Sequence, residues 1–306
     1  MVQKDCLRNK ILIICGPTAS GKSALAIECA KLLKTEIISA DSMNVYQNLD
    51  IGTAKPTIAE REGIIHHIID VADEFSNFTV SDYRSLAKPI VDRLLSENKT
   101  PIICGGTGFY INSILYDLSY GESKGNLEVR NYYKNLAEKN GNEYVYNILK
   151  EKDPESADKL HFNDLKRVIR ALEICESGKK KSEIKDDFKP IYDYDAYMID
   201  MDRDLLYERI NNRVDKMVEQ GLIDEVKSLI DKGVTIDNQC MQGIGYKEIY
   251  SYLTGEVDLN SAIETLKLNT RHYAKRQITF FKRLPNLKMI KLDDVKKMAQ
   301  GIIENL

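Results

Sequence analysis

The sequence predicts an α/β fold, a parallel sheet flanked by helices, interrupted by a mostly helical insertion. Three observations carry this expectation. Residues 11–15 form a continuous apolar, largely β-branched run of strand length. The run leads into Gly16-Pro17-Thr18-Ala19-Ser20-Gly21-Lys22-Ser23, which meets every fixed position of the phosphate-binding pattern G-x-x-x-x-G-K-[ST], and then into residues 23–33 with apolar side chains at helical spacing. Two more apolar runs, 36–40 and 101–104, end on Asp41-Ser42 and on a glycine cluster, and functional groups gather beyond the carboxyl ends of parallel strands.

Strand, glycine loop and helix in this order describe a P-loop NTPase-like core. The loop's backbone N–H groups and the positive end of the helix dipole converge on a phosphate. Lys22 brings a point charge to the terminal phosphate, and the Ser23 hydroxyl is the expected Mg²⁺ ligand. The loop by itself does not separate phosphate transfer from phosphate departure.

The 306 residues suffice for one elaborated domain or two smaller ones. Hydrophobic residues at 43% and charged residues at 30% are ordinary for a soluble protein and argue against extended disorder. A net charge of −3 excludes a globally basic nucleic-acid binder, so such binding requires a local patch. Six cysteines, at 6, 15, 29, 104, 175 and 240, show no C-x-x-C spacing and no cysteine/histidine cluster, which suits a reducing cytosol and predicts no zinc site. Residues 1–10 are polar and lack the apolar core of a secretory signal, and no apolar run is long enough to span a membrane; a cytoplasmic protein is expected.

Along the chain, Asp41 is expected on the rim of the phosphate loop, either as a functional carboxylate or as a turn or N-cap residue. Residues 50–56 read as a loop, because Pro56 pushes Lys55 out of the helical region. Residues 64–71 suggest a strand on which the adjacent His66 and His67 point to opposite faces, so both are taken as structural. Residues 81–95 predict a helix with Leu86, Ile90 and Leu94 as its stripe and Pro89 as a kink. Gly105-Gly106-Thr107-Gly108 permits close backbone approach to a ligand, to which Thr107 can donate a hydrogen bond.

Between 116 and 194 strand-like runs disappear and charge rises, which predicts an insertion domain within a core of 1–115 and 195–306. Asp153-Pro154 starts one helix there. Asn163 is the expected cap of another that stops at Gly178, with Lys166, Arg167 and Arg170 on one side and Leu165, Val168, Ile169 and Leu172 on the other. Residues 197–200 return as a core strand. A helix over 204–220 follows, with Arg209 and Arg213 on a shared face. A capping box at Ser261 and Glu264 opens a last long helix, on which Lys267, Arg271, Lys275, Arg276, Lys282 and Arg283 form a basic stripe interleaved with Tyr273, Phe280 and Phe281. Basic charge and aromatics on one helix of an otherwise acidic protein predict a local polyanion site.

Seven stretches, in order and spanning nearly the whole chain, resemble the tRNA dimethylallyltransferases, or tRNA isopentenyltransferases, in their bacterial short form: Gly-Pro-Thr-Ala-Ser-Gly-Lys-Ser at 16–23, Ile-Ser-Ala-Asp-Ser at 38–42, Val-Tyr at 45–46, Leu-Asp-Ile-Gly-Thr-Ala-Lys-Pro at 49–56, Gly-Gly-Thr-Gly at 105–108, Met-Gln-Gly-Ile-Gly-Tyr-Lys-Glu at 241–248 and Tyr-Ala-Lys-Arg-Gln-Ile-Thr at 273–279. The resemblance implies transfer of the dimethylallyl group from dimethylallyl diphosphate to N6 of the adenosine 3′ to the anticodon, tRNA position 37, with release of pyrophosphate. The loop at 16–23 then serves a diphosphate, with Ser23-bound Mg²⁺, rather than ATP. Asp41 is implied as the base that orients the amine and takes its proton, Thr107 as the group that positions the reacting centre, and Arg213, or alternatively Arg209, as the pyrophosphate clamp.

The tRNA anticodon stem-loop is implied to be held by Asp41, Ser42, Met43, Asn44 and Thr107, by Arg130, and by Lys166, Arg167, Val168, Ile169 and Arg170 of the insertion. Gln242, Gly243, Ile244, Gly245, Tyr246 and Lys247 add to this, as do Lys275, Arg276, Gln277, Ile278, Thr279, Phe280, Phe281 and Lys282. The simplest assembly is a monomer docking one tRNA, whose target base is extruded. Four features depart from the family pattern: Asn44 stands for a usual glutamine, Phe280 for a usual tryptophan, Asn126-Leu127-Glu128 for an Asp-Pro-containing turn, and the C-terminal zinc finger of many eukaryotic relatives is missing. Rival readings are a P-loop kinase using Asp41 as base or metal ligand, an enzyme prenylating free adenine nucleotides, and an RNA-binding module without chemistry. The run at 101–104 lacks the terminal aspartate a kinase of this type carries.

Overall fold

The computed structural model describes residues 10–118, 126–184 and 187–306; the N-terminal stretch before Lys10, with Cys6, lies outside them. The chain divides into two compact units, one made of the chain up to Leu115 and from Pro190 onward, the other of Tyr116–Lys189. The second boundary falls before the expected 194/195. The reason is that the returning strand begins at Asp193, opposite Lys10, so its first residues already belong to the core sheet.

The larger unit opens with β1 (Lys10–Cys15), α1 (Lys22–Leu33), β2 (Ile37–Ser39), β3 (His66–His67), α2 (Val80–Ser96), β4 (Ile102–Gly105) and α3 (Gly108–Leu115). The second unit holds β5 (Tyr116–Asp117), α4 (Leu127–Asn140), α5 (Asn142–Lys152), α6 (Pro154–Ala157), α7 (Leu165–Glu176) and all but the last residue of β6 (Asp187–Pro190). The chain then returns as β7 (Asp193–Asp200), α8 (Arg203–Glu219), α9 (Leu222–Asp231), α10 (Tyr246–Leu253), α11 (Leu259–Phe281), β8 (Leu287–Lys291) and α12 (Val295–Glu304).

Six strands form one parallel sheet in the order β3-β2-β4-β1-β7-β8. Strand β1 lies centrally, and Ile11 to Cys15 are fully buried, as expected for a strand covered on both faces. From β1 the chain crosses to one side to make β2 and later to the other to make β7. The loop after β1 therefore occupies the topological switch point, where ligands of such sheets bind.

Several local expectations shift. Only His66 and His67 of the run 64–71 are strand, and His67 Nε2 lies 2.6 Å from Glu36 Oε2, a structural tie. On α2, set by the Thr79 capping box, the buried residues are Tyr83, Ala87, Val91 and Leu94, and Leu86 is exposed. Asp164, not Asn163, caps α7, and Asp258 caps α11 three residues before Ser261, because each carboxylate accepts the N–H of the residue three positions on. Neither β8 nor α12 was foreseen. β8 is an edge strand with little buried surface, and α12 earns its place through Met298, Ala299 and Ile302, which pack with Leu25, Ala26 and Cys29 of α1.

The second unit has its own core, built from Tyr133, Ala137, Val145, Leu149, Val168 and Leu172 of α4, α5 and α7. The carboxylate of Glu173 is buried beside it and accepts from Arg130 (Nε, 3.0 Å), from Arg170 and from the N–H of Asn126.

Candidate active site

The phosphate loop owes its shape to two glycines with positive φ, Gly16 at +132° and Gly21 at +92°; a Cβ on Gly16 would stand 3.0 Å from Met198 Cγ. Gly21 is the N-cap of α1 and offers no side chain, so the first N–H groups of that helix keep their capacity for an anion. Lys22 donates to the Pro17 carbonyl at 3.2 Å and forms no ion pair with a carboxylate among the described residues. Burial pushes its pKa below the ordinary lysine value; Cys104 and Asp41 act against that shift and Arg213 acts with it. Ser20 Oγ is buried without a partner in the same loop, and Ser23 lines the cavity beside Lys22.

The facing wall comes from β2 and β4. Thr107 N–H donates to the Ala40 carbonyl at 2.9 Å, and a Cβ on Gly105 would stand 2.1 Å from that oxygen, so no larger residue fits there. Thr107 Oγ1 accepts the Ser42 N–H at 3.0 Å. Asp41 Oδ1 accepts the N–H groups of Met43 (2.9 Å) and Asn44 (3.4 Å). Asp41 is thus a turn residue through one oxygen and still lines the cavity.

Gln277 joins the two walls. Its Oε1 accepts the Thr18 N–H at 3.0 Å and its Nε2 donates to the Gly106 carbonyl at 3.0 Å. Gly106 is glycine because a Cβ would meet that Nε2 at 2.0 Å. One turn earlier on α11, burial and the charge of Asp41 raise the Tyr273 phenol to about 12, against hydrogen bonds with Thr107 and Gln277.

Arg213, half-buried on α8, donates to the Thr53 carbonyl at 3.2 Å; burial lowers its pKa while Asp41 and Glu60 counteract. Arg209 lines a neighbouring hollow instead, which places Arg213 rather than Arg209 at the main cavity. The loop carrying Thr53 is shaped by Glu225 of α9, whose carboxylate accepts the N–H groups of Asp50 (2.9 Å), Ile51 (2.7 Å) and Gly52 (3.0 Å) and the Tyr246 hydroxyl (2.6 Å). Lys55, buried, pairs with Asp50 and Asp70 across the same loop. Nothing in the sequence marked Glu225, since a carboxylate in a first helical turn is ordinary.

The resulting cavity holds about 390 Å³ and brings together Thr18, Lys22 and Ser23, Asp41 to Asn44, Arg213, Gln242 to Ile244 with Tyr246 and Lys247, and Tyr273, Arg276 and Gln277. Asn44 Oδ1 is buried there without a partner. The remaining residues of α11 divide. Lys275, Ile278, Thr279 and Lys282 line a second hollow with Pro17 and Tyr207 of α8.

Several of the residues expected to contact RNA are engaged in contacts within the protein. Tyr246, Gln277 and Phe281 are buried, the first two holding neighbouring loops by hydrogen bonds, and Val168 and Ile169 lie in the core of the second unit. Gly243 and Gly245 are buried backbone, the former packed by Met43, and the Gln242 amide donates to the Ile236 carbonyl. Arg130 and Arg170 share Glu173. On α11, Lys267 pairs with Asp215 (2.8 Å) and Arg271 donates to Asn211 (2.8 Å), so the basic stripe narrows to residues 275–283.

Phosphate loop, half-buried lysine, opposing carboxylate and a roomy cavity at the switch point define a group-transfer enzyme of the P-loop class. The IPP transferase family profile matches residues 44–284, well over half of the chain, and the chain belongs to that family. It is 46% identical over 301 residues to the tRNA dimethylallyltransferase of Alkaliphilus metalliredigens, covering 97% of this chain and 96% of the relative. It is likewise 46% identical over 302 residues to that of Acetivibrio thermocellus, at the same coverage. Among solved structures, the full-length tRNA isopentenylpyrophosphate transferase of Bacillus halodurans superposes with a TM-score of 0.73 at 40% identity, over 97% of this chain and 96% of that one. A eukaryotic dimethylallyltransferase acting on tRNA gives a TM-score of 0.80 at 29% identity, over 97% of this chain and 77% of the other.

Proposed function

We propose that the chain is a tRNA dimethylallyltransferase which moves the five-carbon group of dimethylallyl diphosphate to N6 of the adenosine 3′ to the anticodon. The observation that carries the reading is one cavity holding a phosphate loop with a half-buried lysine, paired to no carboxylate among the described residues, on one wall and a carboxylate on the other. In the reaction the C1–O bond to the diphosphate breaks, the C1–N6 bond forms, and the amine proton passes to a base. The N–H groups at the start of α1, Lys22 and Arg213 would take the charge that develops on the leaving pyrophosphate. Asp41, held by Met43 and Asn44 N–H through one oxygen, would orient the amine and accept its proton.

Thr107 acts in this scheme through Ser42, fixing the turn that carries Asp41. Asn44 Oδ1 would accept a hydrogen bond from the entering base. Ser23 would hold Mg²⁺ together with diphosphate oxygens and water, a fit to a hydroxyl at a helix N-terminus where no cluster of three or more acidic, histidine or cysteine ligands exists among the described residues. When bound, the ion neutralises diphosphate charge. The exposed Lys275, Arg276 and Lys282 of the larger unit, and Lys166 and Arg167 of the second unit, would contact the tRNA backbone. None of the helices among the described residues is long and apolar enough to cross a membrane, and a cytoplasmic monomer acting on one tRNA is the proposed state.

The kinase alternative is disfavoured because β4 ends on Gly105 and carries no aspartate. The test incubates the protein with Mg²⁺, unmodified tRNA and labelled dimethylallyl diphosphate, with ATP and tRNA in parallel. Label is expected on N6 of the adenosine after the anticodon. ATP turnover without prenyl transfer would replace the reading with a kinase.

A further inference from the structure

An aromatic residue that none of the motifs covers stands at the start of α3. Phe109 follows the glycine loop by one residue and leaves 59% of its surface exposed, while the next two residues, Tyr110 and Ile111, are buried. Exposure of one phenylalanine is unremarkable in itself. Here, however, the ring is held from behind: it lies 5.6 Å from Phe280 at a 58° tilt, and Phe280 meets the buried Phe281 edge-on at 5.6 Å. Gly108 exists to admit this stack, since a Cβ there would be 2.0 Å from the Phe280 ring. The exposed face is therefore fixed in orientation, with little conformational entropy left to lose on binding.

Its surroundings are charged in one sense. Lys275 and Arg276 on the helix that supplies Phe280, and Lys282 and Arg283 just beyond its end, are exposed and form no ion pair with a carboxylate among the described residues. Arg276 also lines the cavity and sits over the Tyr273 ring. Two residues before Phe109, Thr107 holds the turn of Asp41 through the Ser42 N–H. A π-face backed by Phe280, a residue of the helix whose Arg276 lines the cavity and whose C-terminal end carries unneutralised cations, matches a single-stranded RNA segment, which offers one stackable face per base and one phosphate per nucleotide.

We infer that Phe109, backed by Phe280, is a stacking platform for an unpaired RNA base neighbouring the nucleoside that enters the cavity. The inference rests on the tRNA reading given above and adds to it the subsite that keeps the loop open while the target base is inserted. Stacking is tolerant of base identity, so the platform supplies affinity and register rather than sequence readout.

The chain contains no tryptophan, so Phe109→Trp introduces a single fluorophore at the platform. Its emission is followed while unmodified anticodon stem-loop RNA is added, with binding measured in parallel by anisotropy of labelled RNA. Emission is expected to fall in step with the anisotropy, and to stay constant when the nucleotides flanking the target are abasic. Steady-state kinetics supply the second readout: Phe109→Ala and Phe109→Leu should each raise the KM for tRNA about tenfold, Phe109→Tyr should restore it, and the KM for dimethylallyl diphosphate should stay within about twofold. RNA binding without any change in emission overturns the platform and leaves the tRNA reading intact. Absence of RNA binding to the unsubstituted protein overturns both. Leucine restoring what alanine loses would show that apolar area, not a π-face, is at work, and would also reject the platform.

Discussion

The phosphate loop of the larger unit and the arginine cluster of the second unit both present basic groups that look suited to an anion, and they differ in what the fold has done with the charge. Lys22 is half-buried next to a carbonyl, with no paired carboxylate among the described residues and its pKa depressed by desolvation. Arg130 and Arg170 converge on Glu173, a buried carboxylate that burial alone would raise but that the two guanidiniums and the Asn126 N–H hold below the ordinary glutamate value. The first arrangement is incomplete without an external anion; the second is already complete. Availability of a cation depends on the counter-charge the fold supplies, not on the cation itself.

The sharpest way to break this contrast is at the loop. Lys22→Met, and separately Asp41→Asn, should lower kcat about a thousandfold while the protein still binds tRNA. Turnover near that of the unsubstituted enzyme in either variant would remove that residue from the chemistry. Arg213→Ala is expected to lower kcat about a hundredfold with tRNA affinity unchanged; a loss of affinity at preserved kcat would move the residue to RNA docking.

Gln277→Glu sharpens the comparison within the loop itself. The substitution sets a carboxylate oxygen against the Gly106 carbonyl in place of the donated hydrogen bond, while leaving an acceptor for Thr18. About a tenfold rise in the KM for dimethylallyl diphosphate is expected, from roughly 1–3 kcal/mol for one broken buried hydrogen bond, with tRNA affinity unchanged. Weaker tRNA binding alone would return Gln277 to the RNA surface.

The smallest effect on activity is expected at the second unit. Glu173→Gln should leave kcat unchanged and remove part of the protein's loss of stability in acid. The sign follows from the depressed pKa of Glu173: its contribution is present above the ordinary glutamate range and lost as the pH falls through the folded-state value. Thermal melts of both proteins between neutral pH and acid measure this. Identical acid profiles would mean that the pairs with Arg130 and Arg170 contribute nothing.

Much of the site was legible because local geometry dictates it. Gly16, Gly21, Lys22 and Ser23 follow from a backbone that must turn tightly and present N–H groups to an anion, and the apolar runs locate the strands whose ends carry Asp41 and Thr107. The long helix with its aromatic and basic residues was equally visible. Its division was not: Tyr273, Arg276 and Gln277 reach the main cavity, Lys275 and Lys282 a second hollow, and Lys267 and Arg271 partners on α8. Spacing by four places residues on one face of a helix but says nothing of what packs against it.

Residue types and their order thus determined the core strands β1, β2, β4 and β7, the loop and the class of chemistry, because these depend on interactions between near neighbours in the chain. Tertiary structure alone decided that Gln277, about 260 residues beyond Thr18, would lock the phosphate loop to the Gly106 turn, that Glu225 would shape the loop behind Arg213, and that Glu173 would neutralise two arginines. Each of these rests on a polar group whose partner is fixed by three-dimensional proximity, and a buried polar group must find such a partner wherever in the chain it lies.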